Sequence, residues 1–168
     1  MKYYNLKIET LLKENLNNTQ TYEKISNLIS YAMLKEETLK KLHEENTYKN
    51  YVFCNLYPIE KDTIYKKGNI YTFNLRGIEF EKIIKLKQLL EKTETEYFKI
   101  IQINFQTGIQ RNISKLVTLT PAIITTEKGD YDIKEDIEFV KNRILANTQN
   151  KYKKIYDTQI DIDFIKEI

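Results

Sequence analysis

The period of the apolar residues changes in a set order along residues 3–105, and that order restricts the folds open to the chain. Tyr3 to Thr10 alternates, with Tyr4, Leu6 and Ile8 on one side, as in a strand. The polar run Asn15-Leu16-Asn17-Asn18-Thr19 reads as a turn and supplies helix N-cap candidates. Ile25, Leu28, Ile29, Ala32 and Met33 then recur at spacings of three and four, the apolar face of a helix. A second, short helix is predicted over about Glu36 to Glu44, with Leu39 and Leu42 on one side. Tyr51-Val52-Phe53-Cys54 is aromatic and β-branched, a short strand that Pro58 ends or confines to an edge. The turn Lys67-Gly68-Asn69 precedes a strand from Ile70 to Leu75, which Gly77 is expected to break. Ile78 to Glu91 reads as a helix with Phe80, Ile83, Ile84 and Leu90 inward. Tyr97 to Phe105 is a strand with Phe98, Ile100 or Ile101, Ile103 and Phe105 inward.

Strand, helix, strand, strand, helix, strand is the order of a ferredoxin-like α+β domain of the RNA-recognition type, with helices on one face of an antiparallel sheet. RNA-recognition modules lay single-stranded nucleic acid on the open face of such a sheet, although the fold hosts many functions. The chain continues past the sixth element. Residues 116–126 are extended and interrupted by Pro121, and Glu127-Lys128-Gly129-Asp130 reads as a linker. A helix is predicted over 133–147, with Ile137, Val140, Ile144 and Leu145 inward. Ile160, Ile162 and Phe164 alternate with Asp161 and Asp163 as a strand. The expected organisation is a first domain over 1–126 and a partial second ferredoxin-like unit, helix plus strand, over 127–168. Such a unit cannot form a core alone and must pack on the first domain, on another chain or on something missing.

Hydrophobic residues make up 41% of the 168, enough for a core, and glycine and proline are scarce. No apolar run approaches the ~20 residues that span a bilayer, and the N-terminus lacks the apolar core of a signal peptide. The single cysteine, Cys54, excludes an internal disulfide and a cysteine-built metal cluster. A cytoplasmic protein without a membrane partner is expected. The net charge of +3 is a weak hint of a polyanionic partner, because 27 basic residues nearly balance 24 acidic ones.

Three stretches carry a likeness: Asn27-Leu28-Ile29-Ser30-Tyr31-Ala32-Met33; Lys41-Leu42-His43-Glu44 running on to Asn50-Tyr51-Val52-Phe53; and Val117-Thr118-Leu119-Thr120-Pro121 with Ile123-Ile124-Thr125-Thr126. In this order they resemble the CRISPR-associated endoribonucleases that cut repeat transcripts into guide RNAs, a branch of the RAMP proteins. The phrase Phe53-Cys54-Asn55-Leu56-Tyr57-Pro58-Ile59-Glu60 is similar to members of the same family. The resemblance implies binding of CRISPR repeat RNA and a cut that needs neither metal nor cofactor. In that reaction the RNA's own 2′-hydroxyl attacks the adjacent phosphorus, leaving a 2′,3′-cyclic phosphate. It also implies a catalytic set in which His43 matches the family's histidine, Lys49 its lysine six residues on, and Tyr31 its first-helix tyrosine. Ser30 stands at the aligned place of that tyrosine, one residue from Tyr31 and so ~100° away around a helix. Tyr48 or Tyr51 could take the role instead. Imidazole titrates near neutrality and can move protons, and an ammonium can stabilise phosphorane charge.

Read without the likeness, His43 is a surface residue and Lys49 one solvated lysine among many. The four glycines, Gly68, Gly77, Gly108 and Gly129, are isolated, so the glycine-rich C-terminal half of the family is expected to be missing. Three functions stay open on these residues. They are a processing endoribonuclease, an inactive relative that binds repeat RNA or a CRISPR effector subunit as an inhibitor or decoy, and a plain interaction module. A homodimer is a further possible partner arrangement.

Overall fold

The computed structural model describes residues 1–45, 48–110, 124–126, 129–131 and 137–159. In chain order the elements are β1 (Lys2–Leu12), β2 (Leu16–Asn17), α1 (Asn18–Met33), α2 (Glu37–Glu44), β3 (Tyr51–Phe53), β4 (Ile64–Tyr65), β5 (Ile70–Gly77), α3 (Phe80–Leu90), β6 (Phe98–Ile109), β7 (Ile124–Thr126), β8 (Gly129–Tyr131) and α4 (Ile137–Tyr156). They form two compact units, Met1–Asn112 and Ile113–Ile168. Residues 113–126, read from sequence as part of the first domain, fall in the second unit.

In the first unit the strands lie in the order β3-β5-β1-β6, all pairs antiparallel. With two central strands from different βα halves, this is the ferredoxin-like arrangement. Alternation decides the faces: Leu6, Ile8 and Leu12 of β1 and Tyr71, Phe73 and Leu75 of β5 are buried together with Ile25, Leu28 and Ile29 of α1. Asn17 starts α1 by accepting the Thr19 backbone N–H at 3.0 Å on its Oδ1, an N-cap bond.

Three details differ from what the sequence pattern predicts. A β-bulge lies where β6 passes Glu9 and Thr10: Glu9 faces Gln102, but Thr10 faces Ile100. The extra residue, Ile101, is 49% exposed, and the inward face switches from Phe98 and Ile100 to Ile103 and Phe105. The buried stripe of α3 is Ile83, Leu86 and Leu90 rather than one containing Phe80 and Ile84. Phe80 stands at the first turn, where its ring packs edge-on against Tyr4 and Phe105 instead of entering the core. Gly77 does not break β5. It pairs with both Tyr4 and Tyr51 at the strand's end.

The opposite sheet face is polar. Tyr3, Asn5 and Lys7 of β1 flank Asn74 and Arg76 of β5 and Asn104 and Gln106 of β6. Asn5 donates to Asn74 Oδ1 at 3.1 Å, and the Arg76 guanidinium lies 4.4 Å from the Tyr3 ring centre. The Tyr3 ring crosses Gly108, where any Cβ would collide with it.

In the second unit β7 and β8 pair as an antiparallel hairpin. The helix expected to end at 147 continues to Tyr156. Residues 148–156 lose the apolar period but contain no glycine or proline to stop a helix, and Tyr152 and Tyr156 pack at 4.6 Å one turn apart. Of its expected inward residues only Val140 is buried, while Ile137 and Ile144 are exposed. The expected strand at 160–164 lies outside the described residues.

Candidate active site

Leu39, Leu42 and His43 stand at i, i+3 and i+4 of α2 and therefore share a face. Leu39 is buried and Leu42 packs against the core, so the His43 ring rides half-buried on the margin of the apolar stripe. Glu36 anchors the helix. It is the N-cap, its Oε2 accepts the Leu39 N–H at 2.8 Å, and its Oε1 accepts Thr38 Oγ1 at 2.7 Å and Lys85 Nζ at 3.1 Å. The Thr38 and Leu39 bonds, aided by Lys85, hold the Glu36 carboxyl down at about 2.

Lys49 lies beside α2. Its Nζ lies 3.3 Å from His43 Nδ1. An ammonium only donates, so the contact suits the imidazole tautomer with a free Nδ1 lone pair and its proton on Nε2. Nearby lysines have other partners: Lys82 is paired with Glu79 at 2.8 Å and Lys85 with Glu36 at 3.1 Å. Among the described residues no carboxylate lies within ion-pair distance of Lys49.

Lys49 also borders a small apolar pocket lined by Met33, Leu42, Tyr51 and Ile83, with Glu79 and Lys82 among its other lining residues. Tyr51 points its hydroxyl inward to Met33 Sδ at 3.5 Å. Burial, with a smaller contribution from Tyr22, pushes that phenol up.

The structure thus brings His43 and Lys49 together. It places Tyr31 elsewhere in its contacts: the ring is 52% exposed on α1, with Lys35 Nζ 4.7 Å from its centre. Lys35 in turn donates to Thr93 Oγ1 at 3.0 Å. Among the described residues no hydrogen bond joins Tyr31 to His43 or Lys49. Sequence reasoning missed Asn50, Glu79 and Lys82, which adjoin Lys49. Asn before a strand is a local sign of a left-handed residue, but nothing in the sequence ties it to Glu79, 29 residues on. Among the described residues no three His, Cys, Asp or Glu side chains gather as metal ligands. No helix among them is long and apolar enough to cross a membrane.

No protein-family model matches the sequence, and no curated protein matches it. Among solved structures, the chain is similar to one described as CRISPR associated protein Cas6, with 18% identity and a TM-score of 0.59. The match covers 95% of this chain and 74% of that one. The likeness is one of fold, a mixed α+β architecture with an antiparallel sheet.

Proposed function

We propose that this chain binds CRISPR repeat RNA and cuts it beside His43, through attack of a ribose 2′-hydroxyl on the adjacent phosphorus. The observation that carries the reading is the contact between Lys49 and His43: a lysine without an acidic partner among the described residues, held against an imidazole. The fold shared with a CRISPR associated protein Cas6 supports the choice of repeat RNA as substrate.

The roles follow from donor and acceptor capacity. A scissile phosphate offers Lys49 a charged acceptor, stronger than a neutral ring nitrogen. When the ammonium turns to it, the Nδ1 lone pair is released to take the 2′-hydroxyl proton. The ring is then an imidazolium, whose Nε2–H can protonate the departing 5′-oxygen. Lys49 meanwhile offsets the charge that builds on the phosphorane. The products are a 2′,3′-cyclic phosphate and a 5′-hydroxyl, with every proton accounted for. The polar sheet face, with its amides, Lys7 and Arg76, offers donors and acceptors suited to phosphates and base edges.

The position of Tyr31 favours a second reading, an inactive relative that binds repeat RNA or an effector subunit as an inhibitor. One incubation separates the two. Repeat transcript from the genome that encodes the chain is mixed with the protein in EDTA, and the product ends are identified. Cyclic-phosphate ends are expected. RNA bound tightly but left uncut would reject cleavage and leave the inhibitor.

A further inference from the structure

Lys49 is followed by Asn50, whose φ of 55° lies in the left-handed region. Asparagine enters this region more readily than other non-glycine residues, and its surroundings fix it there. The restraint comes from the start of α3. The Asn50 carbonyl accepts the Ile78 N–H at a long 3.4 Å, and Gly77 makes room, since a Cβ on it would lie 3.2 Å from that carbonyl oxygen. Asn50 Nδ2 donates to Glu79 Oε1 at 3.0 Å.

Glu79 is the N-cap residue of α3, a place where side chains ordinarily accept the free N–H groups of the first turn. Its side chain makes no such bond. The carboxylate is turned to Asn50 and to Lys82, whose Nζ lies 2.9 Å from the same Oε1. Burial pushes this carboxyl up, but the bonds from Lys82 and Asn50 and the Lys82 charge outweigh it and leave it below the usual carboxylate range. A charged group has forgone a cap to hold the residue beside Lys49.

We infer that Glu79 is a positioning residue: by gripping the Asn50 amide it fixes the turn that presents Lys49 Nζ to His43 Nδ1. The inference rests on the reading of that pair as catalytic, yet the placement of Lys49 can be measured without RNA. The chain has one histidine, so nitrogen NMR of its imidazole reports His43 alone.

In the wild-type protein the Nε2–H form should dominate. In Glu79→Ala the imidazole signals should move to those of Lys49→Ala. Glu79→Gln keeps an acceptor for Asn50 and should retain the wild-type pattern. With repeat RNA, Glu79→Ala should lower kcat roughly ten- to hundredfold at unchanged Kd, the scale expected when a catalytic group is misplaced by about 1 Å. If Glu79→Ala does not fold, Asn50→Gly replaces it, because glycine accepts the left-handed φ and lacks the amide. Either variant with wild-type imidazole signals overturns the inference. Wild-type protein that cuts no RNA defeats the catalytic reading instead, and the NMR comparison then decides the positioning claim by itself.

Discussion

Lys49 gains its meaning from what does not pair with it. Lys82 and Lys85 are held by Glu79 and Glu36, while Lys49, with no carboxylate partner among the described residues, lies against the Nδ1 of His43. The six-residue spacing of His43 and Lys49 was legible in the sequence, because the resemblance supplied it. Tyr31 was legible as a tyrosine of the first helix, but its environment was not. A helical position one residue off turns by ~100°, and here the ring lies under the Lys35 ammonium. The proposed mechanism accordingly assigns the proton transfers to His43 and gives the Tyr31 hydroxyl no role in them. Tyr31→Phe is expected to leave the single-turnover cleavage rate unchanged, and a large fall in that rate would restore Tyr31 to the site.

At the scale of elements, α2 has eight residues and depends on its ends, since helices this short are marginal alone. Glu36 serves the N-terminal end with its carboxylate bonds to Thr38, Leu39 and Lys85. Its carboxyl is lowered from the ordinary 4.5 to about 2, so the folded protein favours the charged form. That contribution is complete above the unfolded value and is lost as pH falls through the folded one. Urea midpoints of wild type and Glu36→Gln should differ at neutral pH and converge between about 4.5 and about 2; a gap that persists at the acid end would contradict this account. Elements with strong periods, β1, α1 and β5, could be read directly. The bulge beside Thr10 could not, because Ile100 and Ile101 are equally apolar and only the partner strand selects between them. The far end of α4 was hidden for the opposite reason: its residues sustain a helix without an apolar stripe.

At the largest scale, the first unit rests on a four-stranded sheet whose helix-covered face is apolar and whose other face is polar. Phe73 sits fully buried on β5 opposite Ile8 of β1, the two strands that fill the centre of the sheet. Phe73→Ala should remove about 3–5 kcal/mol from the first unit, read as a lowered urea midpoint of that unit; a change under about 1 kcal/mol would show that the site collapses around the gap. The same sheet and helices bring α2 and the Lys49 turn together, so the fold and the proposed cut stand on one set of residues. Single-turnover cleavage of the repeat RNA by wild type and His43→Ala, in EDTA and with affinity measured in parallel, tests that claim most directly. The rate should fall by roughly 10²–10⁴ with binding retained. Equal rates for the two proteins would contradict it.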